Sequence, residues 1–373
     1  MNGQAAGIPL PDGDGWKHGD RLEELKELLL DRHGSLPEFD VYSRIRNDLP
    51  EPLPELIHGL LRRGHKMLLA GPSKAGKSFL LIELCIAISE GRKWLGFRCE
   101  QGRVLYVNLE IDRASCLRRI RDIFEAQGIE PEHEDALVIW NLRGYAEPLA
   151  ELVPELIRRI REENIAAVVI DPIYKVSTGD ENSASDMAAL CNGFDRICRE
   201  TGAAVICCHH HSKGLQGGKR PMDRASGSGV FARDPDALLD IIRLEPGPEL
   251  QRKAGGATAW RMEGTLREFG NFPPVDFWFD YPLHRLDTTG ELASVPAEGS
   301  RESNLAKSPK RTSGDDRRKA LDEAFDALST GGPVKLPDLC TRMGMPEQTV
   351  RRYIREFPDE YFCDKSRVGK IRT

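Results

Sequence analysis

The clearest chemical signal in the sequence is one short stretch, which consists of Gly71, Pro72, Ser73, Lys74, Ala75, Gly76, Lys77, Ser78 and Phe79. Its first eight residues fit the phosphate-loop pattern G-x-x-x-x-G-K-[ST]. The glycines let backbone N–H groups face phosphate oxygens, Lys77 can reach the β- and γ-phosphates, and Ser78 offers a hydroxyl to Mg²⁺. The stretch therefore predicts a site for ATP and magnesium.

Apolar runs on both sides of this loop predict the elements that hold it, a strand before and a helix after. Similar runs continue to about residue 245. They predict strands at 67–70, 104–109, 137–141, 166–170, 203–208 and 237–242, and helices at 78–90, 112–127, 148–163 and 184–201. Apolar strands separated by helices indicate an α/β core, with a mainly parallel sheet covered by helices on both faces. The ligand is then expected at the carboxyl ends of the strands.

Polar residues follow three of the predicted strands at that edge. Asp171 has the position of a second magnesium-organising carboxylate, and Glu110 has that of a base for the attacking water. By alternation, one of His209 and His210 faces the site, where a neutral donor can hydrogen-bond the γ-phosphate, and the other packs. The alternative for Asp171 and Glu110 is an ordinary carboxylate of a loop. The alternative for either histidine is a residue that only caps the sheet.

A basic loop follows the histidines. The stretch 213–229 contains five glycines and the cations Lys213, Lys219, Arg220 and Arg224. A mobile basic loop next to a γ-phosphate sensor suits a contact with single-stranded DNA that hydrolysis switches. A solvated loop without a partner is the alternative.

Composition limits the class of protein. The net charge is −6, from 53 Lys and Arg against 59 Asp and Glu, which argues against a polybasic coat for nucleic acid. Nine cysteines without a C-x-x-C pair, and no secretory leader, predict a reduced cytoplasmic protein. No apolar run approaches the length of a transmembrane helix, so no membrane partner is expected. Cysteines and histidines at 207–211 alternate between faces and do not predict a zinc site.

The order of these motifs resembles the RecA-like ATPases of the plasmid RepA helicase kind, many of which phages and prophages encode. The resemblance extends over roughly residues 40–290. Its features are the phosphate loop, Glu110, Asp171, the His-His-x-Ser-Lys motif at 209–213 and the segment 223–229 before Asp-Pro-Asp-Ala-Leu-Leu. The combination is more specific than any one motif.

The resemblance implies a hexameric ring with ATP between subunits. In it, Glu110 is the catalytic base and His210 the γ-phosphate sensor, and a neighbouring subunit donates an arginine finger. Placing that finger after the last core strand selects Arg243, with Arg224 as second choice. The chain departs from the larger bacterial relatives, which have glutamine at the position of His210 and an N-terminal primase-contacting domain. It also continues past the core.

Beyond the core, alternating residues at 258–268 and 275–287 predict an antiparallel pair that extends the sheet. Residues 288–314 are rich in Ser, Pro, Glu and Lys, which predicts a flexible linker. Apolar spacing then predicts three helices, from Leu321, Ala324, Phe325 and Leu328, from Leu336, Leu339 and Met343, and from Val350, Tyr353, Ile354 and Phe357.

Two helices joined through Gly344 have helix-turn-helix spacing, and 361–372 predicts a wing hairpin. Polar residues of the third helix are Gln348, Thr349, Arg351, Arg352 and Arg355, and the hairpin has Lys365, Arg367, Lys370 and Arg372. Residues 333–373 contain nine Lys or Arg and six Asp or Glu, a net charge of +3. Contact with duplex DNA through 346–372 is expected, and a winged helix used for protein contacts is the alternative.

The predicted organisation has four segments. Residues 1–46 form a disordered N-terminus with an amphipathic helix, 47–287 the RecA-like ATPase core, 288–314 the linker and 315–373 a winged helix-turn-helix domain. The expected function is that of a magnesium-dependent ATPase acting on DNA, a RepA-like replicative helicase of a phage or plasmid. An ATP-switched DNA-binding regulator or helicase loader without unwinding activity, or a RecA-like recombination ATPase, is the alternative.

Overall fold

The computed structural model describes residues 39–177, 183–211, 216–224, 229–300, 303 and 314–371. The chain divides into two compact units, 1–53 and 54–373. Within the described residues of the first unit there is one short helix, α1 (Tyr42–Asn47). The amphipathic helix expected at residues 20–32 of the N-terminal segment lies outside the described residues. The unit that carries the phosphate loop begins at Pro54. The predicted start of the ATPase core at residue 47 stays a prediction.

The strands of the second unit up to residue 286 are β1 (Glu55–Ile57), β2 (Leu61–Arg62), β3 (Lys66–Gly71), β4 (Lys93–Trp94), β5 (Phe97–Arg98), β6 (Arg103–Asn108), β7 (Leu137–Asn141), β8 (Ile165–Asp171), β9 (Ala204–His210), β10 (Ala237–Arg243), β11 (Thr258–Leu266), β12 (Val275–Asp280) and β13 (Leu283–Leu286). Nine of them form one sheet in the order β13-β12-β11-β10-β3-β9-β8-β6-β7. The remaining four form two short hairpins, β1 with β2 and β4 with β5.

The six strands from β10 to β7 in the sheet order are parallel, and β11, β12 and β13 extend the sheet antiparallel beyond β10. The register aligns the strand ends, because Gly71 pairs with His210 and Asn108 pairs with Asp171. The mainly parallel sheet is confirmed. The predicted antiparallel pair is instead three strands, since the chain turns at Tyr281 and Pro282 within 275–287.

Helices cover both faces of the sheet, as predicted. They are α2 (Lys77–Ser89), α3 (Arg113–Gln127), α4 (Leu149–Glu162), α5 (Ala184–Thr201), α6 (Pro221–Arg224), α7 (Gly229–Arg233) and α8 (Pro248–Lys253), with a 3₁₀ turn at Ile173–Lys175. α2 and α3 bury apolar residues against one face, and α4 and α5 against the other. In α4 the apolar residues recur at helical spacing and form a single buried stripe. Among the described residues no helix combines the length and apolar character needed to span a membrane.

The stretch 288–300 packs against residues of β11 and β12 and of the segment after β10. Leu292 is fully buried in a small apolar cluster with Leu244 of the strand connection, and a backbone bridge pairs Leu244 with Ala297. The prediction of a flexible linker over 288–314 is therefore wrong for this first stretch, because its few apolar residues are enough to dock it. Most of the remainder lies outside the described residues.

The C-terminal elements are α9 (Gly314–Leu328), β14 (Val334–Lys335), α10 (Leu336–Met343), α11 (Glu347–Glu356), β15 (Tyr361–Asp364) and β16 (Arg367–Lys370). Their apolar residues form a separate core, which includes Leu321, Phe325, Leu336, Leu339, Val350, Ile354, Tyr361 and Val368. Gly344 ends α10 with φ of 63° and turns the chain into α11. The hairpin β15–β16 pairs with β14 in a three-stranded sheet. The assignment of this segment as a winged helix stays a prediction.

The docking of 288–300 can be tested by truncating its buried leucine. Leu292→Ala is expected to lower the free energy of unfolding by about 2 to 4 kcal/mol, because the side chain is fully buried and its removal leaves a cavity. Urea unfolding measures this. Leu49→Ala, at a leucine that is 71% exposed, is the control and should change stability by less than about 0.5 kcal/mol. Equal and small effects of both changes would contradict the packed position of the stretch.

Candidate functional site

The phosphate loop connects the end of β3 to the start of α2, and its two glycines are required by geometry. A Cβ at Gly71 would lie 2.4 Å from Cγ1 of Ile241, so only glycine allows this close approach. Gly76 has φ of +77° and caps α2 in the left-handed conformation. Ala75 is buried between them, whereas Ser73 and Lys74 are exposed. The loop therefore places the N-terminus of a long helix at the edge of the sheet, where such a terminus favours anions.

Lys77 holds a buried positive charge at this edge. Its side chain is nearly covered, and Nζ donates to the carbonyl oxygens of Gly71 at 2.9 Å and Pro72 at 2.8 Å. Nζ also lies 3.0 Å from Nδ1 of His210. Burial lowers the pKa of the Lys77 amine below its usual value, and negative charge on nearby groups opposes this more weakly. The ammonium is thus held by groups that a phosphate could replace.

Asp171 ends β8 and is 4% exposed. The hydroxyl of Tyr106 donates to its Oδ2 at 2.6 Å, and the thiol of Cys208 donates to its Oδ1 at 2.9 Å. These donors come from β6 and β9, the strands on either side of β8. Burial, with the charge of Asp171, raises the pKa of both Tyr106 and Cys208 well above their usual values, so both stay protonated. The carboxylate is therefore oriented from both sides.

The donor set of the site fits magnesium. Ser78 supplies a half-buried hydroxyl and Asp171 a carboxylate, and both are hard oxygen ligands. Each carboxylate oxygen has a second lone pair beyond the one that Tyr106 or Cys208 uses. Over the residues that the structure describes, no group of three or more His, Cys, Asp or Glu could enclose a metal. Mg²⁺ suits such a site because it binds one or two protein ligands together with substrate phosphates.

The two histidines at the end of β9 have different surroundings. His209 is buried and packs edge-on against Phe231, with ring centroids 5.4 Å apart. His210 faces the phosphate loop, with Nδ1 3.3 Å from Oγ of Ser73. Burial, together with the positive charge of Lys77, lowers the pKa of His210 to about 4. Because an ammonium can only donate, Nδ1 accepts from Lys77, and Nε2 carries the hydrogen of the neutral ring.

Glu110 lies exposed in the turn after β6, and this turn is fixed by an asparagine. Asn108 donates from Nδ2 to the carbonyl of Ile111 at 2.7 Å and accepts from its N–H at 3.0 Å. The same amide donates to Oδ1 of Asn141 on β7 at 2.8 Å. The backbone that carries Glu110 is therefore tied to the sheet. Burial, together with the negative charge of Glu110, raises the pKa of the Tyr174 phenol above its usual value.

The two arginines considered as fingers differ in exposure. Arg243 ends β10 with an exposed side chain. Arg224 is buried, and its Nη1 lies 2.6 Å from Oδ2 of Asp240 and 2.8 Å from Oε2 of Glu263. A finger has to reach out to a neighbouring subunit, so the internal ion pairs disfavour Arg224 in that role. In the loop 213–229, Lys213 and 225–228 lie outside the described residues.

Phe79, the last residue of the predicted nucleotide-binding stretch, lies in an aromatic cluster beside the loop. Its ring centroid lies 5.5 Å from that of Phe279 and 5.3 Å from that of Tyr281. The guanidinium of Arg119 lies 4.2 Å over the Phe79 ring. Sequence reasoning did not assign these partners, since Phe279 and Tyr281 come from the antiparallel extension about two hundred residues away.

Three further residues of the site were missed from the sequence. Tyr106 and Cys208 point at Asp171 from neighbouring strands, which only the strand order reveals. Tyr174 could have been found, because it lies one turn beyond Asp171 at the predicted ligand edge. The signal was its position directly after a strand-end carboxylate.

One family model and two known proteins are similar to parts of this chain. Residues 35–216 match the family model described as an AAA domain, and the match includes the phosphate loop, Glu110, Asp171 and His210. The chain is similar to the Gene 65 protein of Mycobacterium phage L5, with 24% identity over 222 residues that cover 54% of this chain and 81% of that protein. Among solved structures, the KaiC-like protein PH0186 of the archaeon Pyrococcus horikoshii OT3 matches with a TM-score of 0.41 and 15% identity. That match covers 62% of this chain and 93% of the archaeal chain.

The phosphate loop, the strand-end carboxylates and the AAA family match concern the same region of the chain. The mostly parallel sheet around them, with helices on both faces, is the RecA-like arrangement. The chain therefore has a phosphate-loop site on a RecA-like sheet, and its residues 35–216 are similar to an AAA domain.

Proposed function

We propose that this protein is a magnesium-dependent ATPase that acts on DNA as a replicative helicase of the RepA kind. The observation that supports the ATPase proposal is that Lys77, Asp171 and His210 lie at one edge of the sheet, with Glu110 in the turn after the neighbouring strand β6. Side chains from four separate strand ends come together there, which a site for a triphosphate requires and a structural sheet edge does not.

In the proposed mechanism, Lys77 gives up its bonds to the loop carbonyls and binds the β- and γ-phosphates. Ser78 and Asp171 hold the magnesium ion, which when bound neutralises charge on the phosphate oxygens. Tyr106 and Cys208 donate to the Asp171 carboxylate and hold it directed at the site. Because Lys77 and Asp171 are buried, their charges act with little screening by water.

Glu110 and His210 carry the two remaining roles. Glu110, exposed at its turn, accepts the proton of the attacking water. His210 is neutral at pH 7 because its pKa lies near 4, so its Nε2–H is a donor for a γ-phosphate oxygen. Loss of that phosphate removes the bond, and the histidine is positioned at the start of the predicted single-stranded DNA loop, 213–229.

The proposed duplex contact lies on the C-terminal elements. Gln348, Arg352 and Arg355 are exposed on α11, where they could reach phosphates and base edges. Arg351 bonds to Glu347 and to the carbonyl of Lys365, which ties the helix to the hairpin turn.

Two basic residues of the predicted wing differ from the others. Lys370 forms ion pairs within the C-terminal elements, because its Nζ lies 2.8 Å from a carboxylate oxygen of both Asp322 and Asp326. These carboxylates outweigh the effect of burial and raise the Lys370 pKa. Arg372 lies outside the described residues. The proposed contact within 346–372 therefore depends mainly on α11 and the hairpin turn.

We further propose a hexameric ring in which Arg243 reaches the ATP of the neighbouring subunit. Its exposure at the end of β10 supports this role, since a finger must leave its own subunit. An ATP-switched regulator or loader, or a recombination ATPase, would use the same ATP site. These alternatives differ from a helicase in whether hydrolysis separates strands.

A forked DNA substrate tests the helicase proposal. Lys77→Ala is expected to reduce ATP hydrolysis by at least about a hundredfold and to abolish ATP-dependent strand separation, because a buried phosphate-binding charge is lost. Lys93→Ala, at an exposed lysine, is the matched control and should leave both activities unchanged. Hydrolysis without unwinding by the unaltered protein would favour the loader, and no hydrolysis at all would contradict the ATPase proposal.

Mixed oligomers test the finger. Arg243→Ala and Glu110→Ala subunits should each be inactive alone, whereas mixtures regain some of the ATPase rate. The reason is that a Glu110→Ala subunit can lend its intact Arg243 to a neighbour that has Glu110. Steady-state hydrolysis at a series of mixing ratios measures the recovery. If the rate stays at the level of the single variants at every ratio, Arg243 does not act between subunits.

Salt dependence tests the duplex contact. The double variant Arg352→Ala with Arg355→Ala is expected to bind duplex DNA more weakly, with the slope of log K against log salt reduced by about 1 for each phosphate that the variant no longer neutralises. Fluorescence anisotropy with labelled duplex measures both quantities. Arg118→Ala, at an exposed arginine of α3, serves as the control. Unchanged affinity and slope in the double variant would show that α11 does not touch DNA.

A further inference from the structure

We propose that a buried hydrogen-bond network centred on Asp240 couples the ATP site to the basic loop, so that ATP tightens the binding of single-stranded DNA by that loop. Asp240 is a positioning residue in this role, because it acts through its two partners. The inference rests on the proposed function, since it takes the phosphate loop as the ATP site and the loop 213–229 as the contact for single-stranded DNA.

The centre of the network is a fully buried carboxylate on β10. Oδ1 of Asp240 lies 2.7 Å from Nε2 of His211, and Oδ2 lies 2.6 Å from Nη1 of Arg224. The side chains of these two partners are 3% and 7% exposed. A buried carboxylate whose two oxygens are both engaged has little freedom to turn, so the position of one partner constrains the position of the other.

His211 connects this carboxylate to the phosphate loop. Its N–H donates to the carbonyl of Gly71 at 3.1 Å, and the same carbonyl accepts from Nζ of Lys77 at 2.9 Å. When Lys77 turns to the phosphates of ATP, as in the proposed mechanism, the carbonyl loses one of these two donors. The N–H of His211 then no longer competes with an ammonium for this oxygen. ATP thereby holds His211 more firmly at the end of β3.

The imidazole of His211 serves hydrogen bonding more than packing. Its Nδ1 is buried and has no hydrogen-bond partner among the residues that the structure describes. An apolar ring of similar size would fill the same place without the cost of an unsatisfied buried nitrogen. The bond from Nε2 to Asp240 is the contact that an apolar ring could not make.

Arg224 connects Asp240 to the described part of the basic loop. Its Nε donates to the carbonyl oxygens of Gln216 at 3.2 Å and Lys219 at 3.0 Å. The guanidinium thus closes a turn of the loop, and the exposed Arg220 follows this turn directly. A loop that is ordered before binding loses less conformational entropy when it contacts DNA. A more firmly held Arg224 therefore tightens that contact.

The same turn rests on the chain that follows the core. A Cβ at Gly217 would lie 2.4 Å from the backbone nitrogen of Ser300 and 2.5 Å from the carbonyl oxygen of Glu298, so only glycine fits there. The N–H of Glu298 in turn donates to the carbonyl of Arg243, the last residue of β10, at 2.8 Å. Both supports of the turn therefore lead to β10, the strand that carries Asp240.

The coupling can be measured as a ratio of two affinities. Fluorescence anisotropy gives the Kd of labelled oligothymidylate with and without β,γ-imido-ATP and Mg²⁺. The unaltered protein is expected to bind the oligonucleotide at least about fivefold more tightly with the analogue. His211→Phe keeps a ring and the N–H to Gly71 but removes the bond to Asp240, so it should reduce this ratio to below about twofold.

His211→Phe leaves the ion pair of Asp240 with Arg224 intact, so the variant should fold and bind the analogue without DNA as the unaltered protein does. His133→Phe, at an exposed histidine, is the matched control and should keep the full ratio. Asp240→Asn interrupts the network at its centre. The double variant should have the same ratio as either single variant, because both changes interrupt one path. If Asp240→Asn does not fold, His211→Phe decides alone.

The results separate this inference from the proposed function. If the unaltered protein lacks affinity for the analogue or for oligothymidylate, the proposed function fails. If it binds both, and the analogue has no effect or weakens DNA binding, only the coupling fails. The coupling also fails if His211→Phe keeps the full ratio. Weaker DNA binding by His211→Phe in both states, at an unchanged ratio, would make the network a support of the loop alone and would overturn the inference.

Discussion

The buried ammonium of Lys77 is the constraint on which the rest of the site depends. A cation removed from water is costly unless it is paired and hydrogen-bonded. Here the partners are two loop carbonyls and the neutral ring of His210, all within 3.0 Å. They can be there only because the parallel register pairs Gly71 with His210 at the ends of β3 and β9. The sheet therefore creates the charge environment before any ligand contributes to it.

The same principle explains the residues around Asp171. A carboxylate that is 4% exposed needs donors, and the neighbouring strands provide them as Tyr106 and Cys208. Both donors are themselves fully buried, so neither can move away without leaving an unsatisfied oxygen. Asp171 is thus fixed by hydrogen bonds from the strands on either side of its own, and Lys77 by two carbonyls of the phosphate loop and by His210. This is the preorganisation that phosphoryl transfer requires.

Much of this could be predicted from the sequence, because the signals are local. The apolar strands and the spacing of the phosphate loop identified the sheet and its ligand edge, and alternation required one of His209 and His210 to face the site. The rest depends on contacts between distant segments. His284 of β13, whose Nδ1 lies 2.7 Å from Oε1 of Glu83, sits where a Cβ on Gly76 would touch it. Nothing near Gly76 in the chain indicates this.

The prediction of a flexible linker was wrong at 288–300 because it, too, depended on a contact with a distant segment. Composition predicted a linker because polar and small residues dominate, yet a single leucine at 292 finds an apolar site next to Leu244. Average composition measures how much apolar surface a segment has, whereas docking depends on whether that surface meets a complementary one. Sequence position likewise left Arg224 as the second choice for the finger, because it does not show that two carboxylates of the same chain, Asp240 and Glu263, bind this arginine.

One of these carboxylates, that of Asp240, binds residues on both sides of the loop after β9. His211 lies 2.7 Å from Oδ1 of Asp240, and Arg224 lies 2.6 Å from Oδ2 of the same fully buried residue. The two ends of the segment 211–224 thus meet at one carboxylate on β10. A displacement that starts at His210 must carry this ion pair along or break it, and breaking a buried pair costs about 3 to 5 kcal/mol. Under the proposed sensor role of His210, a displacement of this residue would therefore reach Asp240 on β10 and Arg224 as well as β9 itself.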